Sequence, residues 1–116
     1  MAVVYTSVSN LKMKKEIYID RRAEKEIRRF GKKVRNMIFG YIQVLRQTGV
    51  LKYPYSKKVG RKLYEIRVRC TGDAYRVFYA YFDKKKVIVL HAFQKKTNRI
   101  PKRNLDTAIR RSREYL

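Results

Sequence analysis

Negative charge is scarce in this chain. Its 116 residues include 9 Asp plus Glu against 31 Lys plus Arg, a formal net charge of +22. Between Ile27 and Tyr64 there are eleven Lys or Arg and no acidic residue. So few carboxylates, scattered as they are, argue against a dedicated two-metal site. There is one cysteine, Cys70, and one histidine, His91. A single cysteine excludes an internal disulfide and fits a reducing, cytoplasmic setting. One Cys and one His cannot complete a zinc site. No apolar run reaches transmembrane length, and residues 1–13 lack the charged start, apolar core and cleavage site of a signal peptide. No metal, no cofactor and no membrane is therefore expected.

What is abundant is cation. A charge of +22 exceeds what solubility requires, and its self-repulsion opposes a compact state unless a polyanion binds. Nucleic acid is the first candidate partner. A membrane surface is the second, but no long basic amphipathic helix supports it. With 45% apolar residues, the chain has enough hydrophobic material for one packed core.

Val3-Val4-Tyr5 reads either as an edge strand or as part of a loose N-terminal extension, residues 1–14. Glu16 to Asp20 alternates as a short strand. Asp20 is placed to cap a helix in which Ala23, Ile27 and Phe30 recur at helical spacing. Gly31 interrupts it. A second helix is expected from Lys32 to Thr48, with Val34, Ile38, Tyr41, Ile42 and Leu45 on one stripe and Gly49 at its end. Gly40 inside it suggests a close packing contact. Val50 to Lys62 reads as a loop made basic by Lys57, Lys58, Arg61 and Lys62, either a solvated connector or a flap over a nucleic-acid path.

Leu63 to Lys96 organises the rest. β-Branched and aromatic residues alternate with polar ones, and Thr71-Gly72-Asp73 and Asp83 to Lys86 supply turns. Three strands in a meander are expected. Pro101 then opens a C-terminal helix, with Leu105, Ala108, Ile109 and Ser112 on one face and Arg103, Arg110 and Arg113 on the other.

In the first strand of the meander Glu65, Arg67 and Arg69 share a side, and paired guanidinium groups there suit a phosphate. Arg76 conflicts with its neighbours: by parity it joins Phe78, Ala80 and Phe82 on the core side, unless twist or a bulge re-aims it. Tyr75, Tyr79 and Tyr81 take the other parity, either to stack bases or as half-buried sheet residues. In the last strand His91 falls with Val87, Val89 and Phe93, as a base for a ribose hydroxyl or as a hydrogen-bonded sheet residue. Lys95 and Lys96 close the strand, and Arg99 follows in the loop.

LYEIR, then AYRVFY, then LHAFQKKTNRIP before a final helix resembles the RelE/HigB family of bacterial type II toxins, and within it the phage Gp49-like branch of HigB. The resemblance covers residues 15–116, which then read as one domain. It implies an α+β, RelE/ParE-like fold: strand, helical hairpin, three-strand antiparallel meander and C-terminal helix, in two layers. It also implies a ribosome-dependent mRNA endonuclease and a cognate antitoxin, typically a helix-turn-helix protein. Arg67, Arg76 and the Lys95–Lys96 pair match basic positions of RelE-type toxins, whereas Glu65 stands where RelE has lysine. Expected catalytic residues are Arg67, Arg76, His91, Lys95 and Lys96. Lys57, Lys58, Arg61, Lys62, Arg69 and Arg99 are expected to contact mRNA or rRNA. Two alternatives stay open: a ParE-like gyrase inhibitor, and a non-catalytic RNA-binding module.

Overall fold

The computed structural model describes residues 15–115 and, of the segment before them, the backbone of residues 2–5. The extension expected over 1–14 otherwise lies outside the described residues. In chain order the elements are β1 (Ala2–Tyr5), β2 (Glu16–Asp20), α1 (Arg21–Arg28), α2 (Lys32–Thr48), β3 (Ser56–Gly60), β4 (Leu63–Cys70), β5 (Asp73–Tyr81), β6 (Lys86–Lys95) and α3 (Lys102–Arg113). The strands form one sheet in the order β1-β2-β6-β5-β4-β3. Only the β2–β6 pair is parallel; every other neighbour is antiparallel.

The hairpin of α1 and α2 covers one face. Ala23 and Ile27 from α1, and Val34, Ile38, Ile42 and Leu45 from α2, pack against Ile17, Ile66, Val77, Tyr79, Val87 and Val89. On the opposite face α3 sits over a smaller cluster, where Ala108 meets Leu63, Phe78, Ala80, Ile88, Leu90 and Phe93. Both faces thus carry apolar contacts, but α3 covers only part of its side. The uncovered part is the end of β4, β5 and β6 where the arginines lie.

Local sequence explains the element ends. Asp20 accepts hydrogen bonds from the backbone N–H of Arg22 at 2.8 Å and of Ala23 at 3.3 Å, capping α1 as expected. Gly49 ends α2 in the left-handed region, φ 83°, where a missing Cβ removes the steric cost. Thr71 and Gly72 both have positive φ, the twist a two-residue hairpin turn requires.

Three expectations are corrected. Val50 to Lys62 is not all loop, because residues 56–60 form β3 against β4. A Cβ on Gly40 would meet no atom within 4 Å, so no close contact explains that glycine. In α3 the buried positions are Ala108 and Arg111, while Ile109 is exposed.

Asp20 also ties the two ends of the domain together. Its buried carboxylate accepts from Arg22 Nη2 at 2.7 Å and from the Tyr115 hydroxyl. Burial alone would raise its pKa, but the Arg22 and Tyr115 hydrogen bonds overturn this and hold it well below the usual carboxylate range. A depressed folded pKa adds stability above the unfolded value, near 3.9, and the gain is lost as pH falls toward the folded one. We expect Asp20→Ala to destabilise by about 1–3 kcal/mol at neutral pH. Denaturant melts should show this difference shrinking on acidification below about pH 4.

Candidate nucleic-acid interface and active site

Strand register builds the site as three rungs across β4, β5 and β6. The first is Glu65–Phe78–His91, the second Arg67–Arg76–Phe93, the third Arg69–Ala74–Lys95. Directly paired residues share a face, so these side chains project together from the α3 side of the sheet. Lys57 on β3 pairs with Glu65 and extends the first rung.

This arrangement depends on a bulge that simple alternation misses. Phe78 pairs with His91, but Tyr79 pairs with Val89, so Leu90 has no partner in β5. One extra residue inverts the parity of β6 beyond it. Val87 and Val89 lie under the helical hairpin, whereas His91 and Phe93 turn to the other face. There the His91 ring stacks on Phe93, with centroids 5.6 Å apart. The conflict over Arg76 is resolved without a bulge: the Phe78 face carries both the smaller core and the arginines, so Arg76 needs no re-aiming.

At the centre, Arg76 is 6% exposed and Glu65 4%. Arg76 Nε lies 3.3 Å from Glu65 Oε1, and Arg67 Nε lies 3.7 Å from Glu65 Oε2. These are ion-pair distances with poor alignment. Glu65 Oε1 and both guanidinium Nε atoms are buried without a hydrogen-bond partner among the described residues. Burial dominates the ionisation of both central groups. It raises the Glu65 pKa despite the attraction of Arg76, Arg67, Lys57 and Lys95. It lowers that of Arg76 despite the attraction of Glu65, with Arg67 and Arg69 adding repulsion. Two guanidinium groups beside one imperfectly bonded carboxylate, with Lys57 and Lys95 adding positive charge, make a site that gains by taking another anion.

The surface above is concave. Tyr53, Pro54, Arg67, Arg69 and Arg76 line a cleft of about 390 Å³. A second cleft, lined by Arg69, Arg76, Gln94, Lys95, Lys96 and Asn98 among others, adjoins it. A third continues past Gln94 and Lys96 to Arg103 and Asn104. Shared residues link the three into one basic path.

The remaining expected site residues distribute unevenly. Lys95 lines the path, but its Nζ donates to the Thr97 and Asn98 carbonyls at 2.7 and 3.0 Å, shaping the loop that carries Lys96 and Arg99. Lys96 and Arg99 are exposed. Lys57 faces the site, whereas Lys58 lies over the Tyr64 ring on the other side. Arg61 and Lys62 form the β3–β4 turn beside α3, about 13 Å or more along β4 from Arg67. These four residues, read as either a connector or a flap, thus divide between both faces of β3 and the far turn rather than lining one path. Tyr75, Tyr79 and Tyr81 pack under the helical hairpin. Tyr79 is 1% exposed, with its hydroxyl 2.6 Å from Ser56 Oγ, so it offers no stacking surface, and Tyr75 and Tyr81 are the half-buried sheet residues of the second reading.

His91 does not stand free as a base. It is 8% exposed, with Nδ1 2.9 Å from Glu26 Oε1 and Nε2 2.7 Å from Asn104 Oδ1. Glu26 also accepts from Arg111 Nη1 and Nη2, each at 3.0 Å, and from the Ala92 N–H at 3.1 Å. Burial opposes ionisation of Glu26, but the bonds from His91 and Arg111 override it and lower its pKa. The network clamps α1, α3 and the bulged end of β6 together, and His91 in turn stacks on Phe93, the β6 partner of Arg76. Glu26, Asn104 and Arg111 carried no local motif; only the tertiary fold brings them together. Tyr53 was missed as well, though an aromatic next to proline in a basic loop was a visible signal.

No group of three or more His, Cys, Asp or Glu that could hold a metal occurs among the described residues. No helix among them is long and apolar enough to cross a membrane.

Comparison with known proteins agrees with this picture. A search of curated protein sequences returns no match. Among solved structures, an arginine-to-alanine double mutant of the E. coli toxin RelE, in the free state, superimposes with a TM-score of 0.65. It shares 22% identity, covering 85% of this chain and 97% of that one, and so establishes the fold. The family model for phage derived protein Gp49-like (DUF891) matches residues 25–113, a span containing all three rungs and the clamp. The chain belongs to this Gp49-like family of RelE/HigB-type toxins.

Proposed function

We propose that this toxin is a ribosome-dependent endoribonuclease that cuts messages in the A site without a metal. The observation that carries the reading is the rung geometry: Arg67 and Arg76 beside the buried, imperfectly bonded carboxylate of Glu65, with Arg69 on the next rung of the same concave face. RNA brings its own nucleophile, the ribose 2′-hydroxyl. The protein must align it, neutralise the phosphorane and move protons.

Arg67 and Arg76 turn from Glu65 to the scissile phosphate, because their forks match its oxygens better than they match the carboxylate here. Glu65, left buried with its pKa already raised, takes the proton from the 2′-hydroxyl. The 2′-oxygen bonds to phosphorus, the bond to the 5′-oxygen breaks, and the Lys95–Lys96 end of the cleft supplies the proton for the departing oxygen. Products are a 2′,3′-cyclic phosphate and a 5′-hydroxyl end. Glu65 replaces His91 as base in this scheme, and His91 holds the β6 end in place.

The basic path beyond the centre, with Lys57 and the exposed Lys96, Arg99 and Arg103, docks on rRNA and the flanking message. A cognate antitoxin, a helix-turn-helix protein in this reading, neutralises the toxin in the cytoplasm. Primer extension after induced expression in bacteria tests the function. Translated messages are expected to be cut at discrete positions, and the same message without a start codon to stay whole. Intact messages together with blocked gyrase supercoiling would overturn the reading.

A further inference from the structure

Tyr53 is 71% exposed, the most exposed of the large hydrophobic side chains among the described residues. Its turn is firmly tied. The Lys52 carbonyl accepts from the N–H of Tyr55 at 2.9 Å and of Ser56 at 3.0 Å, and the Tyr55 carbonyl accepts from the Arg67 N–H at 2.8 Å. The turn leads into β3, whose ladder on β4 reaches Ile66 and is carried one residue further by the Tyr55–Arg67 bond, and so places Tyr53 beside the active face. Its ring rests above the Arg67 guanidinium, 5.8 Å from centroid to cation, at the mouth of the cleft shared with Arg69 and Arg76. Neighbouring aromatics are engaged elsewhere: Tyr55 packs on Tyr41, Tyr75 on Phe30, and Phe93 on His91. Core packing does not account for a large ring held this far into solvent.

We infer that Tyr53 is a stacking platform for one unpaired base of single-stranded RNA, next to the phosphate held by Arg67 and Arg76. This deepens the endoribonuclease reading and rests on it. A ring with one face on a guanidinium and the other open receives a base sandwich-fashion, and aromatic stacking of this kind tolerates any base while fixing its plane. The backbone ties hold the turn in place before RNA arrives, so its ordering cost does not fall on binding. Tyr53 acts as a positioning residue: it sets which nucleotide presents its 2′-hydroxyl to Glu65.

The test uses the full chain and a short oligoribonucleotide carrying 2-aminopurine beside a 2′-deoxy position, which prevents cleavage. Stacking on Tyr53 is expected to quench the fluorescence. Tyr53→Ala should abolish the quench and weaken binding by about 5- to 100-fold at physiological salt. Tyr53→Phe should restore both, and Tyr55→Ala should leave both unchanged. On translated message Tyr53→Ala should broaden the set of cut positions. Equal quench and affinity in Tyr53→Ala and the unmodified protein would overturn the inference. A quench that depends on Tyr53 in a protein that cuts no message would instead keep the base site and refute the endoribonuclease reading.

Discussion

Replacing Arg67 and Arg76 together by alanine is expected to lower message cleavage by at least about a thousandfold. The two guanidinium groups share one rung beside the proposed phosphate site, and one preorganised donor to a developing oxyanion is commonly worth a hundredfold or more. The two act as a unit, so the double variant should lose less than the product of the single losses. Removing both cations also strands the buried Glu65, so a folding defect must be separated from a chemical one. The Arg67→Lys/Arg76→Lys pair does this. It keeps both charges beside Glu65 but loses the planar fork. It should melt close to the unmodified protein and still cut about ten- to a hundredfold more slowly. Full activity in the lysine pair would show that point charge alone suffices and that fork geometry contributes nothing.

Glu65→Gln is the second large expected effect, about a hundred- to ten-thousandfold in cleavage rate. The substitution preserves shape and removes the proton acceptor. Its pH signature is more telling than its size. Burial raises the Glu65 pKa, and only the ionised form accepts a proton. Cleavage by the unmodified protein should therefore rise with pH through a value above the ordinary carboxylate range, then level off. In Glu65→Gln that limb should vanish, leaving a low rate that is flat over the same interval. Stability follows the opposite sign to Asp20. With its folded pKa raised, Glu65 favours the fold most below its unfolded pKa, and this contribution is lost as pH rises through the folded value. An acid limb that persists in Glu65→Gln would move the base elsewhere, with a lysine of the cleft next in line.

The sequence made the scaffold legible where local signals agree with tertiary need. The Asp20 cap, the apolar stripe of α2, the Gly49 stop and the three meander strands all carry patterns that packing reinforces. Arg67 and Arg69 were readable as one face for the same reason. The failures came where one residue changes the count or where partners are remote in sequence. Leu90 looks like any strand residue, yet as a bulge it moves His91 and Phe93 to the opposite face. Arg76 seemed misplaced only because a single buried face was assumed, when the sheet buries part of each. The Glu26–Arg111 pair joins residues 85 positions apart, and no window of sequence contains both. β3 was hidden by its lysines, which suit an edge strand by discouraging further pairing.

The chemistry of the cut ends tests the central claim most directly. Messages cleaved on ribosomes by the purified protein can be mapped and their termini identified by mass spectrometry. Attack by the RNA's own 2′-hydroxyl predicts a 2′,3′-cyclic phosphate, or the 3′-phosphate from its opening, facing a 5′-hydroxyl. A single 2′-deoxy substitution at the cut nucleotide should abolish that cut. A 5′-phosphate facing a 3′-hydroxyl, or undiminished cleavage at the deoxy position, would contradict it.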